Sequence, residues 1–374
     1  MKTISLKERL FLKYLGWKLR PSRVKRLLQE IAPPDPVKKK EQEMSIQQNI
    51  ITVSAVQQEF KLCRDISSFT RETMQPLKTA ADKGSSLVVF PEYNGLMLLG
   101  MIPGMENLTK GVEQELSSAN PQTKSPPGPD IPVRTLMQHI GPLLQKALVQ
   151  IFSHLSAAFN IYIMAGTTLV PEGENLYNRS FLFAPGGELL GTQDKVHLFP
   201  TEKDWGVDCG HRFHVFPTRI GNLCMPICMD ATYFETFRIL KFLGGEIALL
   251  PIANAEPYNF YTSLRGLWPR VQESLLYGVK SALVGDFLHF SFTGKAEIIA
   301  PLELTPQNNG ILAASDYPHS SDLVTASLDL NALHELQQNH ASRGDINVEL
   351  YERYLPQLYR QLYQDSTLPP KDQS

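Results

Sequence analysis

A chain of 374 residues, 43% hydrophobic and 20% charged, has the length and composition of a folded protein with a large core. Its formal charge of −2 gives no reason to expect a nucleic-acid partner or a strongly acidic substrate, which leaves a small molecule as the expected ligand. Four cysteines without framework spacing, no run near the roughly 18 apolar residues of a membrane span, and an N-terminus without a signal-peptide core together predict a cytoplasmic protein.

The first segment, "KERLFLKYLGWKLRPSRVKRLLQEI", sets Leu6, Leu10, Phe11, Tyr14 and Trp17 at helical spacing among lysines and arginines until Pro21 interrupts. It predicts two basic amphipathic helices, and two roles stay open. One is peripheral contact of residues 1–30 with the cytoplasmic face of an anionic membrane, with Trp17 and the leucines in the interface. The other is packing on the main domain or on a neighbouring subunit. "APPDPVKKKEQEMS" then reads as a solvated linker and closes an extension over 1–45.

From residue 46 to 355 short apolar strands alternate with helical stretches, the pattern of α/β layering. Strand candidates are "ITVSAV", "SLVVF", "IYIMAGTTLV", "RSFLFAP", "LCMPICM", "IALLPIA" and "SALVGD". Between 98 and 158 lies a long insertion, proline-rich at "NPQTKSPPGPDIP" and then helical in "LMQHIGPLLQKALVQIFSHL"; a lid and a surface insertion are both open readings. "NVELYERYLPQLYRQLYQ" predicts a tail helix running into a C-terminal segment, 356–374, whose tyrosine and leucine stripe suits packing or an oligomer face.

Three strand ends carry residues ill-suited to mere packing. "SLVVFPEYN" stops at Glu92, "GELLGTQDKVHLFPTEKDWG" presents Lys195 and Glu202, and "NLCMPICMDATYFE" stops at Cys228. Ligand sites of layered α/β proteins gather at the carboxyl ends of strands, so these residues can converge. A cysteine nucleophile needs a base, because a free thiol titrates near about 8.5, and Glu92 is the candidate. Attack on an amide carbon creates an oxyanion, for which the Lys195 ammonium and the Met229 N–H are candidate donors. Glu202, a short loop beyond Lys195, is the candidate second carboxylate to orient either the lysine or the leaving amine. Cys224, four residues before Cys228, is expected on the same strand face as a buried bystander. Tyr93, Asn94, Met229 and Asn254 are expected to line the substrate pocket.

With these motifs in order, "VVFPE" at 88–92, "DKVHLFPTE" at 194–202 and "CMDATYFETFR" at 228–238, the chain resembles the nitrilase superfamily of carbon–nitrogen hydrolases over roughly residues 50–355. The resemblance implies a four-layer α-β-β-α sandwich, commonly paired into homodimers or larger homo-oligomers. It also implies cofactor-free hydrolysis of a small-molecule amide or carbamoyl substrate through a thioester. Carried across, Cys228 matches the nucleophile, Glu92 the base, Lys195 the oxyanion stabiliser and Glu202 the second carboxylate, while Asp230, Glu235 and Arg238 match structural charges. "CMD" stands where nitrilases typically carry "CWE", so amide or N-carbamoyl hydrolysis fits better than nitrile hydrolysis. "YFE" stands where "FPE" is usual, the loss of one proline.

Two rivals use the same residues differently, namely acyl transfer to an amine on the same site and a non-catalytic binding protein that keeps the fold. A metal centre at Cys209, His211, His214, Cys224 and Cys228 has poor spacing, since His-x-x-His on a strand puts its rings on opposite faces. No metal and no cofactor is expected.

Overall fold

The computed structural model describes residues 6–31, 49–105, 133–287, 290–340 and 346–367. The chain divides into two compact units, Met1–Asn331 and Ala332–Ser374.

The first unit opens with helices α1 (Leu6–Lys18) and α2 (Pro21–Ile31). Pro21 starts the second helix rather than kinking one long one, since a first-turn proline forfeits no hydrogen bond. Leu15, Leu19, Val24 and Leu28 are buried in the main core. Packing on the domain is thus how these helices spend their inner face, while Tyr14 and Trp17 stay about half exposed under Lys18 and Arg23.

Strand β1 (Ile50–Glu59) follows, then α3 (Ile66–Asp82), β2 (Leu87–Val89) and a 3-10 turn over Asn94–Met101. Asp65 caps α3, its carboxylate accepting from the Ser68 amide at 2.7 Å while the Ser68 hydroxyl accepts from the Asp65 amide. Helix α4 (Val133–Phe159) packs on the sheet through Leu144, Leu148, Ile151 and Phe152. The long segment at 98–158 thereby splits: both ends are core, and its proline-rich middle, 106–132, lies outside the described residues. The linker after α2 lies outside them as well.

Next come β3 (Tyr162–Glu172), β4 (Asn175–Phe183), β5 (Leu189–Asp194), the short α5 (Pro200–Asp204), β6 (Val215–Thr218) and β7 (Gly221–Cys224). They are followed by α6 (Phe234–Phe242), β8 (Ile247–Ile252), α7 (Phe260–Ser263), α8 (Leu267–Ser274) and β9 (Tyr277–Phe287). The last strands are β10 (Phe290–Phe292), β11 (Glu297–Ile299), β12 (Ile311–Ala314) and β13 (Asp322–Asp329).

The strands run in the order β5-β4-β3-β2-β1-β9-β8-β7-β6. Strand β1 joins two halves: β2 pairs with one of its edges, while β13 covers residues 50–57 of the other before β9 takes over at 57–59. The halves fold face to face. Ser281 in β9 donates to the Phe90 carbonyl at 2.8 Å, and Phe216 of β6 packs so closely on Gly191 of β5 that a Cβ there would lie 2.2 Å from its ring. Helices α3 and α4 cover one half, with α2 stacked on them, and α6 and α8 cover the other through Phe237, Leu240, Leu267 and Val271. The result is the expected four-layer α-β-β-α sandwich.

The second unit contains most of α9 (Leu330–Asn339), together with α10 (Val348–Thr367). Helix α10 begins before residue 356 and exposes Tyr354, Leu358, Leu362 and Tyr363. Among the described residues, no helix is long and apolar enough to cross a membrane.

Candidate active site

The fold brings the three strand ends to one point. Strand β2 is wholly buried, and Phe90 at its end is fixed by the Phe152 ring of α4, 5.3 Å away edge-on. Pro91 and Glu92 then leave the sheet, and Tyr93 takes a left-handed conformation with φ 59°. Its N–H donates to the Thr167 hydroxyl at 2.9 Å. Gly166 permits this close approach, because a Cβ there would stand 2.0 Å from the Pro91 carbonyl oxygen.

Lys195 follows β5, its amide bonded to the Asn178 carbonyl at 2.9 Å. Its ammonium donates to Glu92 Oε1 at 2.8 Å and to Glu202 Oε2 at 2.6 Å, and all three side chains are at most 3% exposed. Glu202 stands in α5, where its carboxylate also accepts from the Phe199 amide at 2.8 Å and closes its own turn. Tyr93 donates its hydroxyl to Glu202 at 2.6 Å. Asn178 donates to both carboxylates, at 2.9 Å to Glu92 and 2.8 Å to Glu202. The Ala253 amide after β8 completes the shell of Glu92 at 2.9 Å. A buried charge cluster is tolerated only when each member is paired and hydrogen-bonded, as here.

Cys228 is reached differently from the sequence expectation. Strand β7 ends at Cys224, and Cys228 opens a 3-10 turn with φ 43°. The shared strand face expected for Cys224 and Cys228 therefore fails. Cys224 is buried in the helix-side cluster with Phe237 and Leu240, whereas Cys228 lines a cavity beside Glu92 and Lys195. A positive φ at a non-glycine residue costs about 1–3 kcal/mol and persists where its surroundings enforce it. Asp230 supplies that enforcement. Fully buried, it accepts from the Ile227 amide at 2.9 Å and the His197 amide at 2.8 Å, with His197 Nδ1 also at 2.9 Å, and so ties the cysteine turn to the lysine turn. Arg238 pairs with Glu273, and Arg270 braces the same turn through the Ala231 and Thr232 carbonyls. Glu235 sits in the first turn of α6.

The charges bias every proton in the cluster. Burial raises the Glu92 carboxyl above the ordinary carboxylate range, with Lys195 opposing and Glu202 reinforcing. Burial pushes the same way on Glu202, but there Lys195, the Tyr93 hydroxyl and the Phe199 amide win and hold it low. Burial and the neighbouring Glu92 carboxylate lift the Cys228 thiol well above the usual cysteine range, against Lys195 and the Ala253 amide. Burial acts to lower Lys195, yet Glu92, Cys228 and Glu202 keep its ammonium more firmly protonated than usual. The arrangement is a neutral thiol facing a carboxyl group that readily takes a proton, next to a fixed cation.

Glu92, Lys195, Glu202 and Cys228 thus come together as expected, and the cavity of about 320 Å³ beside them is lined by Tyr93, Met229 and Asn254. Asn94 does not join them: it is fully buried and donates to the Ala165 carbonyl at 3.1 Å. Sequence reasoning missed Asn178, which betrays itself as a polar residue at an inward position of the alternating strand "NLYNRSFLF". It also missed Lys280, a buried lysine of β9 on the cavity wall. His211 and His214 lie before β6 in irregular backbone, not on a strand, and among the described residues no group of three His, Cys, Asp or Glu side chains is arranged to hold a metal ion.

Among curated relatives, the probable hydrolase YhcX of Bacillus subtilis is 23% identical over 301 residues, 78% of this chain and 52% of that protein, so the chain spans about half of that relative's length. A probable nitrilase, C965.09, of Schizosaccharomyces pombe is 26% identical over 56% of this chain and 72% of its own. An (R)-stereoselective amidase of Pseudomonas is 31% identical over 34% of this chain and 44% of its own. Among solved structures, a double mutant of the amidase from Nesterenkonia sp. AN1 in complex with acrylamide superposes with a TM-score of 0.59 at 17% identity, covering 82% of this chain and 97% of that one. The model of the carbon–nitrogen hydrolase family matches residues 46–338, and the chain belongs to that family.

Proposed function

We propose that this protein hydrolyses a non-peptide carbon–nitrogen bond, in an amide or N-carbamoyl compound, through a thioester on Cys228. The observation that carries the reading is the convergence, on one cavity wall, of the partly accessible Cys228 thiol with a buried carboxyl of raised proton affinity that is paired with the Lys195 ammonium. With its pKa raised, Cys228 has no resting thiolate to offer, so the proton moves to Glu92 as sulfur attacks the carbonyl carbon. The carbonyl π electrons pass to oxygen, which Lys195 Nζ and the Met229 N–H receive; among the described residues that N–H has no backbone acceptor. Collapse of the tetrahedral species breaks the carbon–nitrogen bond, and Glu92 returns its proton to the departing amine. Water then gives a proton to Glu92 while its oxygen attacks the thioester, and expulsion of sulfur releases the acid and restores the thiol. Glu202, Tyr93 and Asn178 hold Lys195 and Glu92 in register throughout.

Rapid quench with a chromogenic amide supplies the test. A burst of amine release with an acyl group on the Cys228 peptide is expected, and steady turnover with no covalent species would reject the thioester. Added hydroxylamine or primary amines separate hydrolysis from acyl transfer, because a transferase converts product to the substituted amide at the expense of the acid.

The open N-terminal question also has a favoured answer. With the leucines turned inward, Lys13, Arg20, Arg23, Lys25 and Arg26 face outward beside Tyr14 and Trp17, a surface suited to peripheral contact with anionic lipid. The partner expected of the whole molecule is a second copy of itself, in keeping with the exposed aromatic stripe of α10.

A further inference from the structure

The cavity beside Cys228 has two unlike walls. One is a run of rings, with centroid separations of 6.1 Å from Tyr93 to Trp205, 5.7 Å from Trp205 to Phe290 and 5.8 Å from Phe290 to Phe292. The other carries cations. Lys280 is 5% exposed and paired with Glu297 at 2.6 Å, while Arg265 and Lys295 also line the space. Lys295 is half-buried with its ammonium 5.6 Å from the centre of the Tyr258 ring. Among the described residues, neither Lys295 nor Arg265 has a carboxylate within ion-pair distance. Outside the cluster around Cys228 the lining holds one carboxylate, the exposed Glu256.

A half-buried ammonium without a counter-charge gives up hydration, and an aromatic face returns only part of it. Lys295, together with the exposed guanidinium of Arg265 on the same lining and Lys280 paired with Glu297, makes an otherwise apolar cavity complementary to an anion. The planar guanidinium of Arg265 suits a carboxylate, which it can grip through two parallel hydrogen bonds. The cavity is also of the size that takes a small molecule, near the roughly 300 Å³ lower end of ligand sites.

We propose that the cavity selects amides that carry a carboxylate, seated by Lys295 and Arg265, with the apolar portion of the substrate lying along the Trp205 and Phe290 wall. This rests on the hydrolase reading for the fate of the amide, but not for the binding of the anion.

The test compares monoamides of four- to eight-carbon dicarboxylic acids with matched neutral amides in which a methyl ketone replaces the carboxylate. At the best chain length kcat/KM should favour the acid by about tenfold or more, the scale of a charge-assisted hydrogen bond. Lys295→Gln and Arg265→Gln should each shrink that ratio, and Lys295→Glu should turn the preference toward the matching amide with a terminal ammonium. General damage to the fold lowers all rates together and cannot reverse a preference. A ratio near one in the wild type, or a ratio unmoved in all three variants, overturns the proposal. Where no amide is turned over, calorimetry with the free dicarboxylates decides. Binding that Lys295→Gln weakens, and with which inorganic phosphate does not compete, keeps the anion subsite while the hydrolase reading falls. No binding to the wild type, or binding that phosphate displaces equally well, overturns the carboxylate subsite.

Discussion

In the proposed mechanism Glu92 takes a proton and gives it back, which an ordinary surface carboxylate does poorly at neutral pH. Its raised pKa makes it the better base, and it sets a pH dependence. The rate should fall as pH is lowered through the Glu92 pKa, with a midpoint above that of a free glutamate, because protonated Glu92 can no longer accept from sulfur. Lys195 stays protonated beyond the usual lysine range, so deprotonation of this lysine should not limit the rate at moderately alkaline pH. Glu92→Gln should lower kcat by about 10²–10⁴-fold and abolish that acid limb, as a pH-rate profile would record. Glu202 works in the opposite sense: held low in the folded state, it contributes stability above the pKa of a free glutamate, and that contribution is lost as pH falls through its folded value. Asp230 is a positioning residue. Asp230→Ala would strand the Ile227 and His197 amides and release the φ of Cys228, so kcat should fall with little change in KM. These residues divide sharply in legibility. Glu92, Lys195, Glu202 and Cys228 stand in recognisable motifs just beyond apolar strands, whereas Asn178 sits mid-strand, where only its hydrogen bonds to Glu92 and Glu202 explain why this buried position is not a valine.

Continuous apolar runs mark most strands here because the sheets are buried on one face by the opposing sheet and on the other by helices, and residue alternation serves only to assign which face a side chain takes. Alternation misleads at Cys224 and Cys228 because β7 stops early; it has no meaning once Met225, Pro226 and Ile227 leave the ladder. The N-terminal helices show another limit. Spacing reveals an apolar stripe but not what it faces, and Leu15, Leu19, Val24 and Leu28 prove to face the core. Leu28→Ala should accordingly destabilise the protein by about 2–5 kcal/mol in chemical denaturation, a loss expected of a packed core leucine and not of one awaiting a membrane. Deleting the helices would confound any binding assay for the same reason. Neutralising Arg20, Arg23, Lys25 and Arg26 to glutamine leaves that core intact, and should reduce sedimentation with phosphatidylserine vesicles while leaving the melting temperature within a few degrees. Unchanged sedimentation would exclude an electrostatic membrane role for this surface.

At the scale of the molecule, the order Glu92, Lys195, Cys228 is spread along the chain and meets only because the two sheet halves fold over one another. Strand β2 delivers the first, β5 the second and the turn after β7 the third, so the site reports on closure of the whole sandwich. The cysteines follow suit. Cys63 and Cys224 are buried with thiols pushed to about 12, Cys209 is exposed, and Cys228 is partly accessible in the cavity. Exposure alone ranks Cys209 as the most reactive of the four, and only an assembled base and oxyanion site reverses that order.

Timed alkylation by iodoacetamide, an electrophile shaped like a small amide, followed by peptide mass spectrometry therefore tests the account most directly. The prediction is that Cys228 is modified well ahead of Cys209 in the wild type and loses that lead in Glu92→Gln. Labelling of Cys209 first, or a Cys228 rate indifferent to Glu92, would contradict the account.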